Sequence, residues 1–491
     1  MDNKLPLISG AARENIALLQ QIFSDNDLLT VRELRLGKES SWAYLVYLNV
    51  LIDEKALNQV IIRKINEDWA AQRVPETDEI DTILNTLQSV SRVTARSDMD
   101  SLISAMMNSG VAVFLEGQKT AYEFLMPEYE KRAIDEPNIE INVRGPRESF
   151  IEDLTTNISM VFRKLRTPDL KTVSYTIGSQ SRTKVTLVYL DNKVDQRVLG
   201  ELKARLAAVR LDILLANTQI EEFIQESTFT PFPQILATER PDRIVTALNR
   251  GKIAIMTDGT PIALIAPTSF FEMLHTSDDL YERFYFANFL RGLRLIAMFI
   301  SLFGPSLYIA LTTFHLEMIP TPLMLAFLSS KAGIPFPTFV EAMLMEIAFE
   351  ILREASLRLP RAVGQSVSIV GALIIGEAAV QSGIVSRPMV IVVAMTGIAS
   401  FAIPNFSTAI SFRLLRFPMM LLAAFTGVLG ISLGMFILLL HLSSLTSCGK
   451  LFLSPISSEG WRETLKKYFL LPAPFRNPNS GGSQVDDVEK S

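Results

Sequence analysis

The fold of this chain is decided by one stretch, Pro335 to Gly364, with the sequence PFPTFVEAMLMEIAFEILREASLRLPRAVG. Pro337 stands where the first turn of a helix tolerates proline, and Pro360 ends the helix. At about 100° per residue, the helix between them has an apolar side and a charged side. The apolar side carries Leu344, Ala348, Ile351, Leu352 and Ala355, and the charged side carries Glu346, Glu350, Arg353 and Glu354, with Phe349 and Arg358 at the borders.

Long apolar runs flank this two-sided helix. Nearly all the excess apolarity of the 491-residue chain lies between Leu293 and Leu442. A charged face within such a region has to meet water, protein or ions at membrane depth. Ionisable residues at that depth indicate a functional site, so we look for function on this helix.

The apolar region predicts an all-α polytopic membrane domain over residues 293–443, with five or six helical segments. The segment 319–330, IPTPLMLAFLSS, is too short to cross a bilayer. It is either a re-entrant half or the first half of a broken helix that the charged stretch completes. The expected spans are Leu293–Phe314, Ser366–Val385, Pro388–Ile403 and Phe417–Leu442.

Basic residues around the spans predict the topology only in part. Arginines between positions 283 and 294 precede the first span and place the preceding region in the cytoplasm. Arg413 and Arg416 come before the last expected span, and Lys450 comes after it. The positive charges at each end place that end on the cytoplasmic side. Because one span cannot have the inside at both ends, the side of the tail stays open.

The preceding residues predict an α+β cytoplasmic N-terminal region of two subdomains, with no signal peptide ahead of them. Helical spacing predicts a mainly helical subdomain over residues 1–110, and mixed strand and helix patterns predict an α/β subdomain over 111–228. Residues 229–292 are expected to form a connector with a hairpin and an interfacial helix. The tail, 444–491, is partly disordered by its composition.

Composition argues against several classes of function. A net charge of −5 disfavours a nucleic-acid partner. The single cysteine, Cys448, rules out a disulfide within the chain, and three histidines far apart in the sequence disfavour a metal site. Motifs for phosphate-binding loops, zinc-binding helices and serine nucleophiles are missing from the sequence. We therefore expect no enzyme activity, no metal and no cofactor.

The charged side of the helix has two interpretations. It lines an aqueous path, or it forms a structural seam in which Glu350 pairs with Arg353 and Glu354 pairs with Arg358. Pairing within the helix leaves Glu346 without a partner, and the excess of carboxylates would repeat around any oligomer axis. We favour the path.

Other residues of the apolar region are candidates for pore lining or helix packing. Glu377, in IIGEAAV, is an acid among apolar residues; it either serves the path or hydrogen-bonds a neighbouring helix. Small residues at intervals of four let helices approach closely, and packing is the favoured interpretation for them. They are Gly364, Ser368, Ala372 and Gly376 in one helix and Gly430 and Gly434 in another.

Several strings of the sequence resemble a known family. They are RGPRESFIEDLTTNISMVFRKLR, STFTPFPQILATERPDRIVTALNRGKIAIMTDGTP, the charged stretch with its continuation to Ser386, and ASFAIPNFSTAISFRLLRF. These strings are similar to the hallmark segments of the GerA family of spore-germination proteins, A-subunit type. The resemblance runs from about Val143 to the last span and is weaker before it.

The resemblance implies a subunit of a nutrient germinant receptor, multi-pass in the inner membrane of a bacterial spore. It implies a transporter-like B subunit and a lipoprotein C subunit as partners, and self-association, thought in this family to give a pentamer. Such an oligomer would conduct monovalent cations across the lipid bilayer when a nutrient is sensed. The family's most recognisable membrane segment contains Glu346, Glu350, Arg353 and Glu354, which strengthens the path interpretation.

Two other functions stay open on the sequence. A secondary transporter is favoured by the broken segment near Pro320 and Pro335, although inverted repeats are not visible. A non-conducting accessory membrane scaffold of the germination machinery is the other. Ion flux separates the three functions, because a pore passes ions without counter-substrate, a carrier exchanges them saturably and a scaffold does neither.

Overall fold

The structure is a computed structural model, and it describes residues 5–36, 41–63, 88, 92–127, 137, 140, 142, 144–359, 376–454 and 468–469. The chain divides into two compact units. One, the mixed unit, comprises Met1–Gln225 and Ile235–Pro267, and the other, the helical unit, comprises Glu226–Gln234 and Thr268–Ser491.

The first half of the mixed unit is built on a five-stranded antiparallel sheet with the order β1-β2-β4-β5-β3. Leu45, Val113 and Phe124 lie in its apolar core. The elements are α1 (Ala12–Ile22), β1 (Leu29–Leu36), β2 (Ser41–Leu48), α2 (Glu54–Ala56) with a π-helical continuation (Leu57–Ile62), β3 (Val93–Arg96), α3 (Met99–Met106), β4 (Gly110–Leu115) and β5 (Ala121–Leu125).

This sheet differs from the mainly helical subdomain expected over residues 1–110. Apolar spacing correctly marks α1 and α3, but β1 and β2 pair as antiparallel strands, with Leu29 opposite Leu48. The string SWAYLVYL of β2 is a nearly continuous apolar run, which carries no helical or strand period. Its strand character shows only in its aromatic and β-branched residues.

The second half of the mixed unit contains strands and helices that its pattern indicates, but its bounds differ from the expected 111–228. β4 and β5 belong to the first sheet, and residues 236–266, expected in the connector, supply three strands of the second sheet. This antiparallel sheet has the order β6-β7-β9-β10-β8. Asp153 and Asp195 accept hydrogen bonds from first-turn N–H groups of α4 and α5, which fixes where these helices begin. The elements are α4 (Leu154–Lys164), β6 (Leu170–Ile177), β7 (Thr183–Leu190), α5 (Gln196–Ala208), α6 (Asn217–Ile224), β8 (Leu236–Thr238), α7 (Pro241–Asn249), β9 (Ile253–Thr257) and β10 (Ala263–Ala266).

The helical unit packs its helices around a core that includes Tyr308, Met389 and Met420. The expected α+β region followed by a helical part is therefore confirmed. The elements are a 3₁₀ turn (Phe270–Leu274), α8 (Asp278–Tyr281), α9 (Phe284–Thr313), a second 3₁₀ turn (Leu316–Met318), α10 (Thr321–Lys331), α11 (Thr338–Arg358), α12 (Arg387–Phe401), α13 (Phe406–Thr426), α14 (Val428–Ser444), β11 (Thr446–Ser447) and β12 (Lys450–Leu451).

Within the described ranges, two helices, α9 and α13, are long and apolar enough to cross a bilayer. α12 and α14 are shorter apolar helices. The expected interfacial helix and first span form one continuous helix, α9, of 30 residues. The expected span Ser366–Val385 lies largely outside the described residues, although residues 376–381 are helical.

The last expected span, Phe417–Leu442, is two helices rather than one. Gly427 separates α13 from α14 with a φ of 65°, a backbone conformation that glycine adopts without strain. The sequence does not indicate this turn, because the residues on both sides of it are apolar. Arg413 and Arg416 lie within α13 and not in a loop. They therefore do not indicate which side of the membrane the chain lies on before the last expected span.

A short segment, Glu226–Gln234, belongs to the helical unit although the chain on either side of it belongs to the mixed unit. The fully buried side chain of Gln234 closes this segment by accepting the backbone N–H of Glu226 (2.9 Å). Phe232 packs edge-on against Phe412 of α13, with ring centroids 5.8 Å apart. The string TPFPQ, expected to be an extended connector, is therefore a packed part of the helical unit.

The α13–α14 hairpin depends on a glycine. A Cβ on Gly430 would lie 2.2 Å from the backbone oxygen of Leu422 and 2.4 Å from Thr426 Oγ1. Overpacking of this kind costs about 1–3 kcal/mol, so we expect Gly430→Ala to lower the midpoint of thermal unfolding of the purified full chain. The matched control is Gly292→Ala in α9, where no described atom beyond the adjoining helix backbone lies within 4 Å of the added carbon. Equal shifts in both variants would contradict the close packing.

Candidate functional site

The charged side of α11 faces the interior of the helical unit. Glu346 is fully buried, whereas Leu344 and Ile351 of the apolar side are 45 % and 65 % exposed. This orientation is the reverse of that of a helix on the surface of a soluble protein. It suits a helix whose surroundings are apolar, because charges are then best placed against other protein groups.

Glu346 pairs with an arginine of another helix. Arg416 of α13 donates from Nη1 to Glu346 Oε2, and its Nε donates to the backbone oxygen of Ser301 on α9 at 2.7 Å. The side chains of Arg416 and Glu346 are 1 % and 0 % exposed. A single buried ion pair therefore connects three helices, α9, α11 and α13.

One turn along α11, Glu350 is shared by two arginines. Arg413 Nη1 of α13 donates to Glu350 Oε2 at 3.2 Å, and Arg353 Nη1 lies 3.6 Å from Glu350 Oε1. Arg353 also donates to Ser400 Oγ on α12 at 2.8 Å, and its guanidinium lies 4.5 Å from the ring centre of Phe401. The aromatic ring stabilises this charge by a cation–π interaction.

These five side chains form one charge cluster, defined as Glu346, Glu350, Arg353, Arg413 and Arg416. Carboxylates one turn apart repel each other, and the arginines of α13 offset that repulsion. Each carboxylate has one oxygen bound by α13. The arrangement can therefore hold helices in register and neutralise charge, but in this conformation it offers no ring of unpaired carboxylates.

The outermost charges of α11 behave differently. Arg358 donates to Glu354 Oε1 at 2.5 Å, and the two side chains are 78 % and 60 % exposed. This pair and the Glu350–Arg353 pair are the two that the spacing of the sequence predicts. An exposed pair of this kind contributes about 0–1 kcal/mol, so the Glu354–Arg358 pair does not hold the helix in place.

The remaining candidate residues lie apart from the charge cluster. Glu377 is exposed, and it accepts a hydrogen bond from Gln381 in the same helix at 3.0 Å. Gly376 is buried near Val390 of α12, and Gly434 faces Met419 of α13 within the same chain. The other candidates for packing, Gly364, Ser368 and Ala372, lie outside the described residues.

Sequence reasoning missed Arg413 and Arg416 as members of the site. It treated them as flanking charges of a span, since each lies more than 60 positions from its carboxylate partner. A signal was nevertheless present in SFRLLRF, where two arginines three residues apart share one face of an apolar helix. That face complements two carboxylates four residues apart on α11.

Across the residues that the structure describes, no three or more His, Cys, Asp or Glu side chains are grouped so that they could hold a metal ion. The charge cluster itself contains arginines, which would repel a metal cation. The site is therefore best described as an electrostatic connection between helices.

The charge cluster predicts unequal effects for two arginine substitutions. Arg416→Gln leaves a fully buried carboxylate without its charged partner, so we expect a loss of about 3–5 kcal/mol in the free energy of unfolding. Arg358→Gln, the matched control, removes an exposed pair and should cost less than about 1 kcal/mol. Denaturant unfolding of the purified full chain in one detergent measures both. Similar losses would contradict the assignment of Arg416.

Comparison with known proteins finds relatives over nearly the whole chain. A family model described as Bacillus/Clostridium GerA spore germination protein matches residues 17–479. Spore germination protein KA of Bacillus subtilis (strain 168) is 41% identical over 463 residues, which cover 94% of this chain and 85% of that protein. The uncharacterized membrane protein YfkQ of the same strain is 39% identical over 444 residues, 90% of this chain and 85% of that protein.

The chain is also similar to a more distant relative and to one solved structure. Spore germination protein GerLA of Bacillus cereus is 35% identical over 452 residues, 92% of this chain and 91% of that protein. The crystal structure of the N-terminal domain of the A subunit of the Bacillus megaterium spore germinant receptor GerK3 covers 55% of this chain and 99% of that chain, with 26% sequence identity and a TM-score of 0.44. Since the family model and these full-length relatives span most of the sequence, the chain belongs to the GerA family of spore germination proteins.

Proposed function

We propose that the chain is the A-type membrane subunit of a nutrient germinant receptor in the inner membrane of a bacterial spore. The observation that carries this proposal is the alignment with Spore germination protein KA, at 41% identity over 94% of the chain. The apolar helices α9, α12, α13 and α14 support a membrane location. The mixed unit would then lie in the cytoplasm, and no enzymatic reaction is part of the proposal.

The receptor would assemble from several chains. The partners in this proposal are a transporter-like B subunit that senses the nutrient, a lipoprotein C subunit and further copies of this chain, as a pentamer. Exposed apolar residues on the helical unit support contact with lipid or with other subunits. Leu344, Ile347 and Ile351 on α11 are examples, since each is 44–65% exposed.

We also propose that the assembled subunits conduct monovalent cations and that the charge cluster holds them closed. Glu346 and Glu350 would favour cations in a pore only where they are free of their arginines. In the described chain both are neutralised by α13, and loosening the contact between α11 and α13 would release them. A shift of one helix past another by a turn or less is a common way for proteins to switch states.

A non-conducting scaffold is the second candidate function. The observation that favours it is that Glu346 and Glu350 pair within the chain, as a structural seam would. On this view the charge cluster only stabilises the subunit. The two candidates differ in what removal of one charge should do to ion flux.

Spores test the proposal directly. Deletion of the chain should abolish the response to at least one nutrient, measured as potassium release after separate additions of amino acids, sugars and nucleosides, and the wild-type chain should restore it. Restoration by Glu350→Gln should be partial, because the variant keeps the shape of the side chain and loses the charge that two arginines share. Unchanged responses to all nutrients after deletion would refute the receptor function.

The same spores separate conduction from scaffolding. If the subunit conducts, Glu350→Gln changes the rate of potassium release at an unchanged amount of protein and of partner association. If it is a scaffold, the amount of assembled complex falls in proportion to the response. The matched control is Glu317→Gln, an exposed glutamate of the helical unit outside the charge cluster.

A further inference from the structure

A second polar group of side chains lies inside the helical unit, apart from the charge cluster. It consists of Glu341 in the first turn of α11, Tyr308 of α9 and Ser386 immediately before α12. Their exposed fractions are 0 %, 7 % and 1 %. Glu341 Oε1, Tyr308 Oη and Ser386 Oγ have no hydrogen-bond partner among the residues that the structure describes.

The three side chains lie close together. The backbone N–H of Ser386 donates to Glu341 Oε2 at 2.8 Å, which holds these two residues against each other. The Tyr308 hydroxyl lies near the Ser386 hydroxyl and within reach of the Glu341 charge, although the geometry of the two hydroxyls does not meet that of a hydrogen bond. Buried hydroxyl and carboxylate groups normally bond to a neighbour. Three neighbouring buried oxygens without a hydrogen-bond partner would be satisfied by a bound water or ion.

The negative charge of Glu341 favours a bound cation over a bound water. The ion pairs within 4.0 Å in the described part of the helical unit do not include Glu341. The ammonium of Lys331 is bonded to Thr338 Oγ1. Lys331 lies 5.9 Å from the ring centre of Tyr308 and acts on Glu341 only from a distance. A fully buried carboxylate with one backbone hydrogen bond needs a closer positive charge.

We propose that Glu341, Tyr308 and Ser386 form a binding site for a monovalent cation, Na⁺ or K⁺, and that Lys331 competes with this cation for Glu341. Carboxylate and hydroxyl oxygens are the ligands that hard cations prefer. One carboxylate beside an ammonium group suits a single positive charge, whereas a divalent ion would require further carboxylates. When the site is filled, Lys331 stays on Thr338, one turn before Glu341 on α11.

This inference does not rest on the proposed function, because it concerns the stability of the chain and not conduction. Ligands that bind only the folded state raise the midpoint of thermal unfolding in a saturable way. The full-length chain, purified in detergent, is titrated with NaCl or KCl against choline chloride at constant ionic strength and constant chloride. We expect Na⁺ or K⁺ to raise the midpoint by about 2–4 °C.

Four variants assign the effect to the proposed residues. Glu341→Gln should abolish the response, and Tyr308→Phe should raise the half-saturating cation concentration several-fold. Lys331→Met removes the competitor and should lower that concentration. Glu317→Gln, the exposed control, should respond as the wild type does.

Two results would overturn the proposal. One is a wild-type midpoint that is the same in choline, sodium and potassium chloride, which means that neither cation binds at Glu341. The other is a full response in Glu341→Gln, which places the cation elsewhere. A positive titration together with normal potassium release from deletion spores would support the site and refute the receptor function, so failures of the two proposals are distinguishable.

Discussion

The buried ion pair between Glu346 and Arg416 is the contact on which the helical unit depends. It joins α11 to α13 and, through Ser301, to α9, while both side chains are almost fully removed from solvent. A pair of this kind adds little stability over an apolar contact, but loss of one partner leaves a buried charge unpaired. It therefore fixes the register of three helices strongly, and the neighbouring pair of Glu350 and Arg413 repeats that constraint one turn further along.

Local chemistry made much of the fold predictable. The Asp258–Pro261 turn between β9 and β10 and the helices α4, α5 and α7 lie where the sequence indicates them. Among the features that were missed, two have sequences that lack a period or a break. The apolar run of β2 carries no alternation, and the turn at Gly427 interrupts a run that is apolar on both sides. In both cases a continuous apolar run was taken to be one uninterrupted helical region.

The ion pairs of the candidate site could be predicted within α11, but those between α11 and α13 could not. Spacing alone gave the two faces of α11 and its internal pairs, Glu350–Arg353 and Glu354–Arg358. Partners separated by 63 and 70 positions cannot be found from spacing, because tertiary packing brings them together. Consequently Glu346, left without a partner by the sequence, has a fully buried partner, Arg416, on another helix. Its burial also turns the charges of α11 inward, which makes release from α13 a requirement for any ion path along this helix.

Charge reversal at Glu346 and Arg416 tests this account most directly. The measured quantities are the amount of folded full-length protein and its midpoint of thermal unfolding for Glu346→Arg, for Arg416→Glu and for both together. The account predicts that each single reversal buries two like charges side by side and abolishes folded protein, and that the double reversal restores much of it. Single variants as stable as the wild type, or a double variant no better than either single one, would contradict the pairing.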